Sequence, residues 1–109
     1  QTNETAVLAY FFEVADNENA QWANYVLYVS DLKEVNQTKT YGTNIQQLMD
    51  GDQREFLRYT GSLTTPPCTQ GVIWTIFSSS IDLTAASFQL LRQNVFKKCF
   101  RPQQLLHKR

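Results

Sequence analysis

Three hydroxyls, Ser62, Thr64 and Thr65, lie within the run Arg58-Tyr59-Thr60-Gly61-Ser62-Leu63-Thr64-Thr65-Pro66-Pro67-Cys68. Proline carries no N–H and restricts the residue before it, so Pro66-Pro67 ends a ladder and stiffens a turn. Thr64 and Thr65 are therefore held on a stiff turn at the end of a strand, a good place for a hydroxyl that must not move. As nucleophiles the three hydroxyls have little support. No general base stands near them in sequence, and no Gly-x-Ser-x-Gly elbow is present. A catalytic zinc needs about three protein ligands and an open position. The chain has one histidine, His107, in a basic tail, and two widely spaced cysteines, Cys68 and Cys99. It has no His-x-His, Cys-x-x-Cys or His-Glu-x-x-His spacing, so no metal ligands are expected in it. Asp50, Asp52 and Glu55 gather around Gly51 as a solvated loop would, not as an acid–base pair.

The elements that position the hydroxyls follow from pattern. Phe56 to Leu63 reads as a strand into the turn. Val72 to Phe77, rich in β-branched and aromatic residues, reads as the strand out of it. Ala6 to Val14 (Ala-Val-Leu-Ala-Tyr-Phe-Phe-Glu-Val) is continuously apolar, the pattern of a central strand covered on both faces. A chain of 109 residues has little with which to cover it. From Ala20 to Val35, Trp22, Tyr25, Val26, Val29 and Leu32 recur at spacings of three and four, predicting an amphipathic helix. Its aromatic residues read as packing. Asn36 to Thr43 is a loop, and Ile45 to Met49 a single helical turn closed by Gly51. Ser78 to Ser80 is a polar connector. Thr84 is placed to cap a helix from Ala85 to Val95, with Phe88, Leu91 and Val95 on one face. Arg101 to Leu106 reads as extended.

Ten basic residues balance ten acidic ones, so the charge gives no reason to expect a nucleic-acid partner. The basic stretch from Lys97 to Arg109 reads as a solvated terminus. No apolar run approaches the roughly 20 residues of a membrane span. Two sequons occur, at Asn3 and Asn36, and Asn36, in a polar loop, is the better glycosylation acceptor. With Cys68 they point to an extracellular protein, secreted or a membrane-anchored ectodomain.

Gly61-Ser62-Leu63-Thr64-Thr65-Pro66-Pro67, followed by Trp74, resembles the motif of the α-carbonic anhydrases. The likeness extends more loosely over nearly the whole chain, which is similar to the C-terminal half of such a domain. The resemblance implies a mixed α/β fold, a central twisted and mostly antiparallel sheet with surface helices. Residues 1–109 would be the C-terminal part of one domain, giving four or five of its roughly ten strands. It implies reversible hydration of CO2 to bicarbonate at a zinc held by three histidines of the missing N-terminal half. In the family the threonine at Thr64 accepts a hydrogen bond from the zinc-bound hydroxide and passes its own to a buried glutamate. The threonine at Thr65 contacts bicarbonate. Leu63, Val7, Val72 and Trp74 match the apolar wall where CO2 rests; read without the motif, Val7, Val72 and Trp74 are strand core. The Pro66–Pro67 bond is implied to be cis. Cys68 is implied to pair with a cysteine of the N-terminal half, while Cys68–Cys99 pairing stays open.

The sequence also departs from the pattern. Thr5 stands where the family usually has leucine. The segment before Arg101-Pro102 is shorter, and a proline usual near Leu48 is absent. Phe100-Arg101-Pro102-Gln103-Gln104 with Leu106 and His107 is similar to the carbonic-anhydrase-like ectodomains of receptor tyrosine phosphatases, which have largely lost zinc. A zinc-free binding domain with a protein or glycan partner is therefore the alternative expectation. Isolated from the other half, the chain is expected to be poorly soluble or partly folded.

Overall fold

The computed structural model describes residues 3–49, 51–94 and 99–106. Five strands and three helices follow in the order β1 (Ala6–Ala9), β2 (Phe12–Val14), α1 (Ala20–Val29), α2 (Ile45–Leu48), β3 (Phe56–Ser62), β4 (Gln70–Phe77), β5 (Ile81–Leu83) and α3 (Ala85–Asn94). They form two sheets, β1-β4-β3 and β2-β5. The architecture is mixed α/β, as expected. Among the described strands, β3–β4 is antiparallel, whereas β1–β4 and β2–β5 are parallel.

The apolar run from Ala6 to Val14 is two strands, not one. β1 follows β4, with Ala9 opposite Ile76, and β2 follows β5, with Phe12 opposite Ile81. Two residues on one side and four on the other absorb the change of partner. Tyr10 stacks on Phe77 at 4.5 Å there, and the Phe11 carbonyl accepts the Ile81 N–H at 2.8 Å. Nor is the run covered on both faces by this chain. Leu8 is 53% exposed, and Phe11 and Val14 are exposed as well. β5 was not legible as a strand, although Ile81-Asp82-Leu83 alternates buried, exposed, buried.

Helix α1 ends at Val29, six residues short of the expected Val35. Its first free N–H groups are met by Asn19, whose side chain accepts from Gln21 N–H at 2.8 Å. At the other end the Ser30 hydroxyl turns back onto the Leu27 carbonyl at 2.6 Å. The Gln37 side chain then gathers the Lys33 and Glu34 N–H groups into a turn. Asn36 sits at φ 66°, a left-handed conformation that asparagine tolerates and a helix does not. Trp22 donates to the Leu48 carbonyl at 2.8 Å and so ties the short α2 to α1. Rings continue edge to face from Phe88 through Phe12 and Trp22 to Tyr25 and Tyr41, the packing role expected of them.

Helix α3 starts where expected. Thr84 Oγ1 accepts the Ser87 N–H at 3.3 Å. The far end that was expected at Val95 lies outside the described residues. α1 and α3 pack on β2–β5 around Val26, Leu83 and Leu91, with Phe12, Val29, Phe88 and Leu90 against them. Glu18, ahead of α1, links the two helices. Its carboxylate accepts from Thr84 N–H at 3.0 Å and from the Ser87 hydroxyl at 2.8 Å. Partial burial pushes this carboxyl up, but the hydrogen bonds from Thr84 and Ser87 outweigh it and leave its pKa below the ordinary value.

Candidate active-site face

Register assigns the site to one side of the three-stranded sheet. In β4 the residues Val72, Trp74 and Ile76 share a face, because side chains alternate along a strand. Trp74 lies opposite both Val7 of β1 and Tyr59 of β3, and Val72 opposite Gly61. Val7, Val72 and Trp74, expected to form a common wall, thus lie on one face. A bulge between Gly61 and Ser62 then shifts the register as β3 enters the turn.

The turn itself is tightly tied. Cys68 N–H donates to the Thr65 carbonyl at 2.8 Å, and Leu63 N–H to the Thr69 carbonyl at 2.9 Å. The Pro66–Pro67 peptide is cis, as the resemblance implied. Thr64 and Thr65 are exposed on it. Neither hydroxyl makes a hydrogen bond among the described residues. Cys68 sits at φ 55° and is half-buried; Cys68 and Cys99 are both free thiols, so the Cys68–Cys99 bridge is not formed.

A cleft of about 890 Å³ runs between this face and the segment 101–106. Tyr59, Gly61, Ser62, Thr64 and Trp74 form one wall, and Arg101 to Leu106 the other. The rings of Tyr59 and Trp74 stack at 6.2 Å, 9° from parallel. Gly61 lies against them: a Cβ there would come within 2.9 Å of Tyr59 Cε2 and 3.3 Å of Trp74 Cδ1. Trp74 Nε1 donates to the Ser62 carbonyl at 3.0 Å, and Arg101 Nη1 donates to Ser62 Oγ at 2.6 Å. Ser62 is thus the point where strand, turn and C-terminal segment meet.

Of the residues singled out from the sequence, Thr64 and Trp74 line this cleft. Leu63 is half-buried, Thr65 exposed and Val72 fully buried, and none of these three lines it, nor does Val7. Sequence reasoning missed Arg101 and Tyr59 as parts of the site. No local pattern joins Ser62 to a residue thirty-nine positions away. Asp52, at the surface, accepts from the Arg54 guanidinium through both carboxylate oxygens, and these hydrogen bonds lower its pKa. His107 and Asp50 lie outside the described residues. The sequon at Asn36 is exposed over all three residues. Among the described residues no three His, Cys, Asp or Glu side chains converge into a ligand set, so they do not by themselves fit a zinc ion. No helix among them is long and apolar enough to cross a membrane.

This arrangement of strands, turn and helices is the α-carbonic anhydrase fold. It superposes on the α-carbonic anhydrase of the fungus Aspergillus oryzae with a TM-score of 0.84 at 26% identity, covering 98% of this chain and 48% of that one. Dioscorin, solved as a complex with ascorbate, is also similar, with a TM-score of 0.71 at 25% identity over 92% of this chain and 43% of that one. In sequence, Carbonic anhydrase 6 of Bos taurus is 34% identical over 92 residues, 83% of this chain and 29% of the relative. The family model for eukaryotic-type carbonic anhydrase matches residues 1–109. The chain belongs to the eukaryotic-type carbonic anhydrase family. It spans about half the length of these solved structures and under a third of that curated relative.

Proposed function

We propose that this chain is the C-terminal part of a carbonic anhydrase domain and serves the reversible hydration of CO2 to bicarbonate. The family generally uses zinc, and here the ligands would come from an N-terminal half outside these residues. The observation that carries the reading is the Thr64–Thr65 turn on the edge of an apolar sheet face. Thr64 offers a hydroxyl that can accept one hydrogen bond and donate another, on a turn closed by two backbone bonds. That combination orients a reacting oxygen without letting it rotate. Thr65 stands beside it to meet bicarbonate. Leu63, Val7 and Trp74, with the fully buried Val72 behind them, would give CO2, which has no net dipole, an apolar rest. Cys68, half-buried and free of Cys99, would pair with a cysteine of the N-terminal half. Asn36 would carry a glycan, in keeping with an extracellular protein.

The test is a chimera in which residues 1–109 replace the aligned stretch of bovine Carbonic anhydrase 6. The expected result is one zinc per chain, CO2 hydration, and a loss of rate of about 100-fold in Thr64→Ala with zinc retained, the scale of one oriented hydrogen bond in a transition state. A folded, zinc-loaded chimera in which Thr64→Ala keeps full rate overturns the assignment of Thr64. The likeness to dioscorin, a protein of this fold solved as a complex with ascorbate, is the observation that favours a second reading, a binding domain, which here would be zinc-free. Protein purified from its own source without added metal, folded and lacking zinc, would establish that reading over the enzyme.

A further inference from the structure

The charge balance of the cleft is one-sided. Among the described residues that line it, Arg101 is the single charged one, and none is an aspartate or glutamate. The side chain is half-buried, and its one hydrogen bond among the described residues is from Nη1 to Ser62 Oγ. A guanidinium carries five N–H donors in a fixed fork, so four remain. A partly desolvated cation without a counter-charge is costly, and a forked one matches a carboxylate edge to edge. Ser62 extends the same preference. Its Oγ accepts from Arg101, which leaves its own O–H as a donor, and its carbonyl is already taken by Trp74. Thr64, on the same wall, has a hydroxyl that makes no hydrogen bond among the described residues. The stacked Tyr59 and Trp74 rings give a flat apolar floor beside these donors. The volume is in the range of small-molecule sites.

We propose that Arg101, with the Ser62 and Thr64 hydroxyls, forms an oxyanion subsite that takes a carboxylate-class group, planar and singly charged. It requires no metal and does not depend on CO2 chemistry. The group has two possible sources, a free small anion or a carboxylate side chain of polypeptide that covers the cleft.

The test is titration of the isotope-labelled 109-residue chain with acetate at constant ionic strength, read at the amides of Ser62, Trp74 and Arg101, with chloride as the spherical control. Saturable millimolar shifts are expected. Arg101→Gln should weaken them about tenfold, the loss of one charge-assisted fork, and Arg101→Lys should restore them only in part. Repeating the titration on the chimera separates the sources. A persisting response means a free anion; a response lost in the chimera but kept in the chain means a side-chain carboxylate. Acetate shifts that do not saturate in a chain with a dispersed spectrum, that equal those of chloride, or that survive Arg101→Gln unchanged overturn the subsite. Where the chain alone gives no dispersed spectrum, the chimera decides. A free-anion site makes acetate raise its melting temperature, and an internal carboxylate makes Arg101→Gln lower it. The absence of both effects in the folded chimera overturns the proposal.

Discussion

Leu83 in β5 is fully buried, while Leu57 in β3 is 70% exposed. The two leucines belong to regions that solve the same problem differently. In the first region, α1 and α3 close over β2–β5, and Val26, Leu83 and Leu91 lose nearly all contact with water. In the second, the β1-β4-β3 sheet buries Val72, Thr75 and Phe77 along β4 but leaves Leu8, Phe56, Leu57 and Tyr59 open. β4 has a neighbour on each side, whereas β1 and β3 are the outer strands of that sheet. None of the candidate site residues lies in the region that holds its own core. The region that carries the threonine turn is the one that remains open, and β1's outer edge and the apolar faces are where the proposed N-terminal half would add cover.

Truncating each leucine in turn should separate the two regions most clearly. Leu83→Ala should destabilise the protein by about 2–5 kcal/mol, because it leaves a cavity among helices that cannot collapse fully. Leu57→Ala should change stability by no more than about 0.5 kcal/mol. Chemical denaturation of the two variants checks this, and equal losses would show that the sheet is as well closed as the helical layer. A smaller effect is expected in the open region at Gly61. Gly61→Ala forces a methyl against the Tyr59 and Trp74 rings and should cost about 1–3 kcal/mol, with a changed Trp fluorescence spectrum. Because Tyr59 is half-exposed and able to swing away, the loss should stay below that at Leu83.

The smallest effect is expected in the closed region, at Glu18. Glu18 holds the start of α3 through Thr84 and Ser87, and its pKa is lowered in the fold. A carboxyl of this kind contributes stability that is present above its unfolded pKa and lost as pH falls through the folded one. Glu18→Gln should therefore flatten the stability profile below pH 4.5, the ordinary value, and leave Leu57→Ala without such a change. Identical acid profiles for wild type and Glu18→Gln would remove the clamp from the account.

Much of the closed region was legible because its signals are local. Thr84 before Ala85 marks a cap, and Trp22, Tyr25, Val26 and Val29 repeat at helical spacing, so α1 and α3 stood out. The end of α1 did not, because the Ser30 hydroxyl turning back onto the Leu27 carbonyl and the Gln37 side chain gathering the Lys33 and Glu34 N–H groups redirect the chain there, and periodicity carries no sign of either. The turn was legible too, since a proline pair between two β-rich runs has few other conformations. The division of Ala6–Val14 was not, because two strands with different partners look the same as one long strand until β4 and β5 are in place.

The sequence by itself determined the β–turn–β unit around Thr64, the two amphipathic helices and membership of a family defined by that turn. These depend on backbone restriction and on the period of apolar residues, and both are properties of neighbours in the chain. Only the tertiary structure decided that β1 and β2 serve different sheets, that Val7, Val72 and Trp74 share a face, and that Arg101 reaches Ser62 across the cleft. Those outcomes depend on strand register and on which segment covers which face, and contacts between residues distant in sequence fix both.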